Sequence, residues 1–213
     1  MKKNIVLFVL FILPIVAYLF FASGVNGYTK LPTLTTNTAD FGNWKTLDGK
    51  AITLTGKVTI LGFSGTNLLE NRGNFFNLNQ KIYQTYHKFT DVQFVILCPL
   101  GTEDDAKKVV DAFAMFTDVA QWRFVFATPE EIKSYYAQLK LVEQLDDKLG
   151  TPKVFIIDKK RNLRGRKLVK GAKEGYNTFH PAELSNEMLD DFKVILYEYR
   201  AAFKKNKNAS RKI

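Results

Sequence analysis

The sequence predicts an α/β domain, a sheet with helices on both of its faces. Three observations predict it. Short apolar runs of strand length alternate with segments whose apolar residues recur at helical spacing. A tight-turn signal, Asp48-Gly49, sits ahead of the first run. The alternation closes on two successive extended runs joined by a short polar turn and followed by one long amphipathic segment. With 213 residues, of which 46% are hydrophobic, the chain is long enough for one such domain plus extra segments, and its composition excludes disorder and fibrous repeats.

The elements follow in order. Phe41–Trp44 and Ile52–Leu54 flank Asp48-Gly49 and predict an N-terminal hairpin. Val58–Phe63 predicts the first core strand. Phe75, Leu78, Ile82, Tyr86 and Phe89 form a helical stripe, and Val92–Leu97 is a second buried strand. Thr102 caps a helix carrying Ala106, Val109, Val110, Phe113 and Ala114 on one face. Trp122–Ala127 is the third strand. Thr128-Pro129-Glu130-Glu131 has the features of a capping box, with Pro129 at the first helical position. Val154–Ile157 is the fourth strand. Asp158–Asn162 turns the chain, and Leu163–Val169 returns antiparallel. A last helix runs from about Pro181 to Lys204, with Leu184, Met188, Phe192, Ile195, Tyr199 and Phe203 as its stripe.

The ends differ from the body. No charge occurs between Lys3 and Lys30, and Ile5–Ala22 is apolar almost throughout. That run exceeds the apolar region of a cleaved signal peptide. Residues 1–23 are therefore expected to form one uncleaved transmembrane helix. Lys2 and Lys3 on its leading flank place the N-terminus in the cytoplasm and the domain in the periplasm, at the inner membrane. Residues 24–40 read as a linker, 41–203 as the folded domain and 204–213 as a basic tail. Of the formal charge of +10, Lys204, Lys205, Lys207, Arg211 and Lys212 carry +5 and Lys2 and Lys3 another +2. A basic face interleaved with aromatics is missing from the body, so nucleic acid is not an expected partner.

Chemistry is sparse. One cysteine, Cys98, and two histidines, His87 and His180, rule out an intramolecular disulfide, a CxxC pair and a Cys/His zinc site within one chain. Cys98 ends an apolar run before Pro99 and reads as a small buried hydrophobe. His87 reads as a solvent-facing helical residue. Asp146-Asp147 and Asp190-Asp191 are adjacent pairs, which on a helix point about 100° apart and do not converge for acid–base work. Phosphate-cradling glycine loops and a GxSxG elbow are both missing.

The closing ββα, the hairpin Thr46-Leu47-Asp48-Gly49-Lys50, the strand end Leu61-Gly62-Phe63-Ser64 and the strand Val154-Phe155-Ile156-Ile157-Asp158 together resemble the SCO/SenC group of thioredoxin-like proteins. These are membrane-anchored proteins that help build the copper centre of cytochrome c oxidase. The resemblance covers roughly residues 41–203 and implies a three-layer thioredoxin-like domain with an N-terminal hairpin. The family's two copper-binding cysteines fall on Thr66 and Glu70, and its histidine ligand falls on Gly150. All three ligands are thus replaced, and hydroxyl and carboxylate oxygens are poor donors for Cu(I). Dithiol exchange needs two thiols. Thr151-Pro152 resembles the cis-proline that faces the active-site loop in thioredoxin-like folds.

The expectation is a domain without catalytic residues, cofactor or metal, acting as a scaffold, assembly factor or accessory subunit of a membrane complex. By resemblance that complex is a respiratory oxidase. The partner is a protein, with the membrane reached through the N-terminal helix and no small-molecule substrate. The candidate surface comprises Gly65, Thr66, Asn67, Glu70, Arg72, Thr151, Pro152, Tyr176, Phe179 and His180. Two alternatives remain: a single-thiol peroxidase or thiol reductase using Cys98, and a metal site using Glu70, His180 and Cys98.

Overall fold

A computed structural model describes residues 2–23 and 30–210, with side chains described over 6–19 and 30–200. The central sheet is built on β3 (Val58–Ser64), β4 (Val92–Pro99), β5 (Trp122–Ala127) and β6 (Gly150–Ile157). β3 pairs parallel with β4, and β4 parallel with β5, while β6 runs antiparallel to β3. Two short strands, β1 (Thr33–Thr35) and β2 (Lys45–Thr46), close the edges, and β7 (Leu163–Arg164) lies between β1 and β6. Both faces are covered. Val58, Ile60, Phe94, Ile96 and Cys98 point to one core; Leu61, Phe63, Val95 and Leu97 point to the other. That alternation inside fully apolar runs is the period-2 pleat of strands buried on both sides.

The first core is covered by a helix that starts as α2 (Arg72–Leu78), widens into a π turn (Asn79–Tyr83) and ends as α3 (Gln84–Tyr86). It is also covered by α4 (Glu103–Ala114) and by the last helix, which begins as α6 (Pro181–Glu183), passes through a second π turn (Leu184–Met188) and continues as α7 (Leu189–Ser210). α5 (Pro129–Gln138) covers the second core with Ile132, Tyr135 and Tyr136, joined by Phe41 from the N-terminal segment. Its start is the expected capping box: Thr128 Oγ1 accepts from Glu131 N, and the Glu131 carboxylate accepts from Thr128 N. Thr102 behaves otherwise. Its hydroxyl donates to Pro99 O at 2.8 Å and does not cap α4.

Several expectations change. The hairpin is narrower than its flanking residues suggested: only Lys45 bridges Ala51 around the Thr46–Gly49 turn, and β2 pairs with β5. Thr33–Thr35, in the segment expected as linker, is a sheet strand; residues 24–29 of that segment lie outside the described residues. Leu163–Val169 is not one strand. β7 pairs with β6 for two residues. The chain then breaks at Gly165, where a Cβ would come within 2.5 Å of Lys173 O. Beyond the break, β8 (Arg166–Lys167) and β9 (Ala172–Lys173) form a separate hairpin. β10 (Tyr176–Asn177) then returns to β6.

The transmembrane part of the fold expectation is corrected. α1 (Lys2–Ser23) is a helix with exposed apolar side chains, but among the described residues no helix is long and apolar enough to cross a membrane. The single-pass inner-membrane placement, with its cytoplasmic N-terminus and periplasmic domain, rested on that helix and falls with it. The side chains of the basic tail, 204–213, lie outside the described ones.

Candidate functional site

The carboxyl end of β3 sets the site. After Ser64 the chain turns at Gly65, whose φ is +65° and whose Cβ, if present, would sit 2.7 Å from Lys148 O. Only glycine meets both demands. Thr66 N then donates to Lys148 O at 2.9 Å, which ties this turn to the loop before β6. Asn67 donates through Nδ2 to Glu70 Oε2 at 2.6 Å, and α2 starts at Arg72. From the other side, β6 enters at Gly150, opposite Ser64, with a bulge between Gly62 and Phe63. Pro152 sits in that bulge, where no ladder N–H is required of it. Its carbonyl accepts from Thr178 N (2.9 Å) and Thr178 Oγ1 (2.7 Å), so the 176–180 segment is pinned beside it.

These segments enclose a cleft of about 90 Å³ lined by Ser64, Asn71, Asn74, Asp146, Thr151, Pro152, Lys153, Thr178 and Phe179, among others. Of the candidate surface residues, Thr151, Pro152 and Phe179 line the cleft, while Gly65 forms its adjoining turn. Thr66, Glu70, Arg72 and His180 are exposed around it, and Asn67 is half-buried. Phe179, 56% exposed, stands at the rim. Tyr176 does not belong to the surface. It is 0% exposed and donates to Asp191 Oδ2 at 2.7 Å; burial first, then that carboxylate, pushes its phenol well above the ordinary range. The Thr151–Pro152 bond is trans, as is every described peptide bond, so Pro152 shares the position of the cis-proline without its geometry.

Sequence reasoning passed over Asn71, Asn74 and Thr178, and set Asp146 aside as one of an adjacent acidic pair. Asn74 had a readable signal: it precedes Leu78 and Ile82 by four and eight residues, so a polar side chain stands on the apolar stripe. Asn79, its neighbour on the helix, is buried too, but its Oδ1 accepts from Trp122 Nε1 at 3.2 Å. The Asn74 Oδ1 has no partner among the described residues.

Cys98 is 0% exposed, and burial pushes its thiol up to about 12. A nucleophilic thiol needs the opposite environment, exposed and electropositive. His87 is half-buried and stacked on Tyr83, with ring centroids 5.5 Å apart. The copper site that the SCO resemblance implies does not fit these residues: Thr66 and Glu70 offer only oxygen, and Gly150 offers no side chain. Glu70, His180 and Cys98 do not gather either. Among the described residues no group of three histidine, cysteine or acidic side chains could hold a metal ion.

No known family profile matches the sequence, and no curated protein matches it. Solved structures do. A protein from Bacteroides thetaiotaomicron assigned as a disulfide isomerase aligns with a TM-score of 0.55 at 14% identity, over 82% of this chain and 99% of that one. The fold is thioredoxin-like. BsSco, a member of the Sco family of cytochrome c oxidase assembly proteins, aligns with a TM-score of 0.52 at 16% identity, over 78% and 94% of the two chains. An Aquifex aeolicus protein assigned to electron transfer gives 0.51 at 16%, over 78% and 98%. Sco-family and other thioredoxin-like proteins are thus the structural neighbours of this thioredoxin-like domain, with identities low enough that they speak for its fold alone.

Proposed function

We propose that this thioredoxin-like domain is a non-redox binding protein, an accessory or assembly factor that docks a protein partner across the cleft at the carboxyl end of β3. The observation that carries the reading is the pairing of an exposed apolar rim, Pro152 and Phe179, with a polar cleft, in a chain whose only thiol is buried on the core side of β4. Apolar anchors beside polar groups that can orient a ligand are the usual make-up of a recognition surface. Thr66, Asn67, Glu70, Arg72, Thr151 and His180 form its surround. BsSco's membership of the oxidase assembly proteins makes a respiratory oxidase the client to test first.

The test is photo-crosslinking. A crosslinkable phenylalanine in place of Phe179 is expected to capture an oxidase subunit, and the same group in place of Lys133, exposed on α5 at the opposite face, is not. Capture at both positions, or at Lys133 alone, defeats the reading. The single-thiol enzyme makes a competing forecast, labelling of Cys98 in the folded protein, which its burial opposes.

A further inference from the structure

We propose that the β8–β9 hairpin is a lipid-surface contact, its tip entering the headgroup region of a bilayer that carries anionic lipid. The strands pair Arg166 with Lys173 and Lys167 with Ala172, and Leu168 N donates to Gly171 O at 3.2 Å, so the tip is Leu168-Val169-Lys170-Gly171. The base is committed to the last helix. Arg166 Nη1 donates to Glu187 O at 3.1 Å and to Asp191 Oδ2 at 3.0 Å, and Lys173 Nζ pairs with Glu183 at 2.7 Å and Glu187 at 2.6 Å. The tip is left open. Val169 is 104% exposed and Leu168 46%. Lys30 shares a groove of about 440 Å³ with Lys167, Leu168 and Val169. The ammonium groups of Lys30, Lys167 and Lys170 take part in no ion pair or hydrogen bond among the described residues. The one acid lining that groove, Asp191, is buried and held by Arg166 and Tyr176.

Single exposed apolar residues are common on protein surfaces. Here two adjoin in a turn, where Gly, Asn, Asp, Ser and Pro are the usual residues, and a lysine flanks them on either side. An apolar tip framed by ammonium groups suits a surface that is anionic outside and apolar just beneath. The lysine stems can lie along the tip while their charges reach the phosphates. A protein partner would have to offer a pit shaped to the fully exposed Val169, whereas lipid closes around it. The contact shares no lining residue with the cleft, so it stands apart from the docking reading above, and it needs no spanning helix.

The full chain, in a Cys98→Ala background, carries a nitrobenzoxadiazole label on Val169→Cys or, as control, on Lys133→Cys of α5, which covers the other face of the sheet. Each is mixed with vesicles of phosphatidylcholine alone, with vesicles that also contain phosphatidylglycerol, and with polyglutamate. The label at 169 is expected to shift to the blue with the phosphatidylglycerol vesicles only, and the label at 133 with none of the three. Whatever α1 contributes to vesicle binding is common to both positions and both lipids. Lys167→Gln and Lys170→Gln each lower the ratio of shifted to unshifted label about fivefold, the weight of one lysine near an anionic surface. Salt of about 1 M, where the screening length is about 3 Å, weakens the shift as well. The substituted tip positions are exposed, so the urea midpoint stays that of the Cys98→Ala chain. An unshifted label at 169, whether or not the chain binds the vesicles, overturns the proposal. So does an equal shift with phosphatidylcholine alone or at position 133, or a ratio indifferent to both lysine substitutions. A shift with polyglutamate and none with vesicles overturns it in favour of an acidic protein.

Discussion

Strand β6 carries a polar cluster at each end, and the two are built to opposite rules. Past its carboxyl end, Arg164 is buried with Asp158. Its guanidinium donates to Asp158 Oδ2 at 3.0 Å, to Glu198 at 3.2 Å and to Leu31 O at 2.6 Å, leaving only Nε without a partner. Asp158 also accepts from Lys160 N and Asn162 N, which fixes the turn after β6. The cluster joins the N-terminal segment, β7 and α7. At the amino end of β6, the cleft holds Asn74, buried with an Oδ1 that has no partner among the described residues, beside the exposed Asp146, whose Oδ1 accepts from Lys148 N and Gly150 N. Burial is similar for Arg164 and Asn74, at 6% and 5% exposed. What separates them is commitment. Polar groups whose partners lie within the chain serve the fold, and those whose partners are lacking are the ones a ligand can serve.

The largest effect that tests this contrast is Arg164→Met. It leaves the Asp158 and Glu198 carboxylates without their cation and Leu31 O without its donor. The expected loss is about 3–5 kcal/mol, read as a lower urea midpoint at unchanged slope. A loss below about 1 kcal/mol would mean that the cluster is no more structural than a surface ion pair.

Next is the alkaline limb of stability. The Cys98 thiol has an ordinary value of 9.0 and is raised to about 12 by burial. Below pH 9 the folded and unfolded chains both carry the neutral thiol, and its contribution is whole. Between pH 9 and 12 the unfolded chain ionises first, so stability falls as pH rises, by at most about 1.4 kcal/mol per unit and about 2–3 kcal/mol by pH 11. Tyr135 and Tyr176 are shifted upward as well, so the observable is wild type minus Cys98→Ala. Parallel pH curves for the two proteins would contradict the burial of the thiol.

A smaller loss is expected for Tyr176→Phe. It deletes the hydrogen bond to Asp191, whose carboxylate keeps Arg166 at 3.0 Å. The cost should be about 1–2 kcal/mol in thermal or urea unfolding. An unchanged protein would return Tyr176 to the list of surface residues.

What the sequence disclosed follows the same division. Trp122–Ala127 and the Thr128–Glu131 capping box are local signals, a short apolar run and a side chain bonding three residues along, and both occur where they were read. The missing sulfur donors are equally plain, since residue type alone decides what a position can ligate. The misread features depend on distant partners. Leu163–Val169 reads as the strand that returns after the Asp158–Asn162 turn, yet Gly165 meets Lys173 O from a segment eight residues on, and the pairing breaks there. Tyr176 stands in the expected surface, yet β10 returns it to β6 and sets its hydroxyl on Asp191. The N-terminal run has the composition of a span, yet among the described residues no helix is long and apolar enough to cross a membrane.

The smallest expected change is the most discriminating. Asn74→Leu keeps the branching and heavy-atom count of the side chain and replaces an unpartnered polar group by an apolar one. If Asn74 served the fold, the substitution would cost about as much as other lost buried hydrogen bonds, 1–3 kcal/mol. If it serves a ligand, the folded protein loses nothing and gains from the relief of an unsatisfied group and from the better helix propensity of leucine, a few tenths of a kcal/mol on the usual scale. The expected urea midpoint is therefore equal to or slightly above that of the wild type, beside weaker crosslinking to a partner at Phe179. Such a trade, stability held or raised while binding falls, is the signature of a side chain kept for function. A clear destabilisation would instead place Asn74 with Arg164, among the groups that hold the fold together.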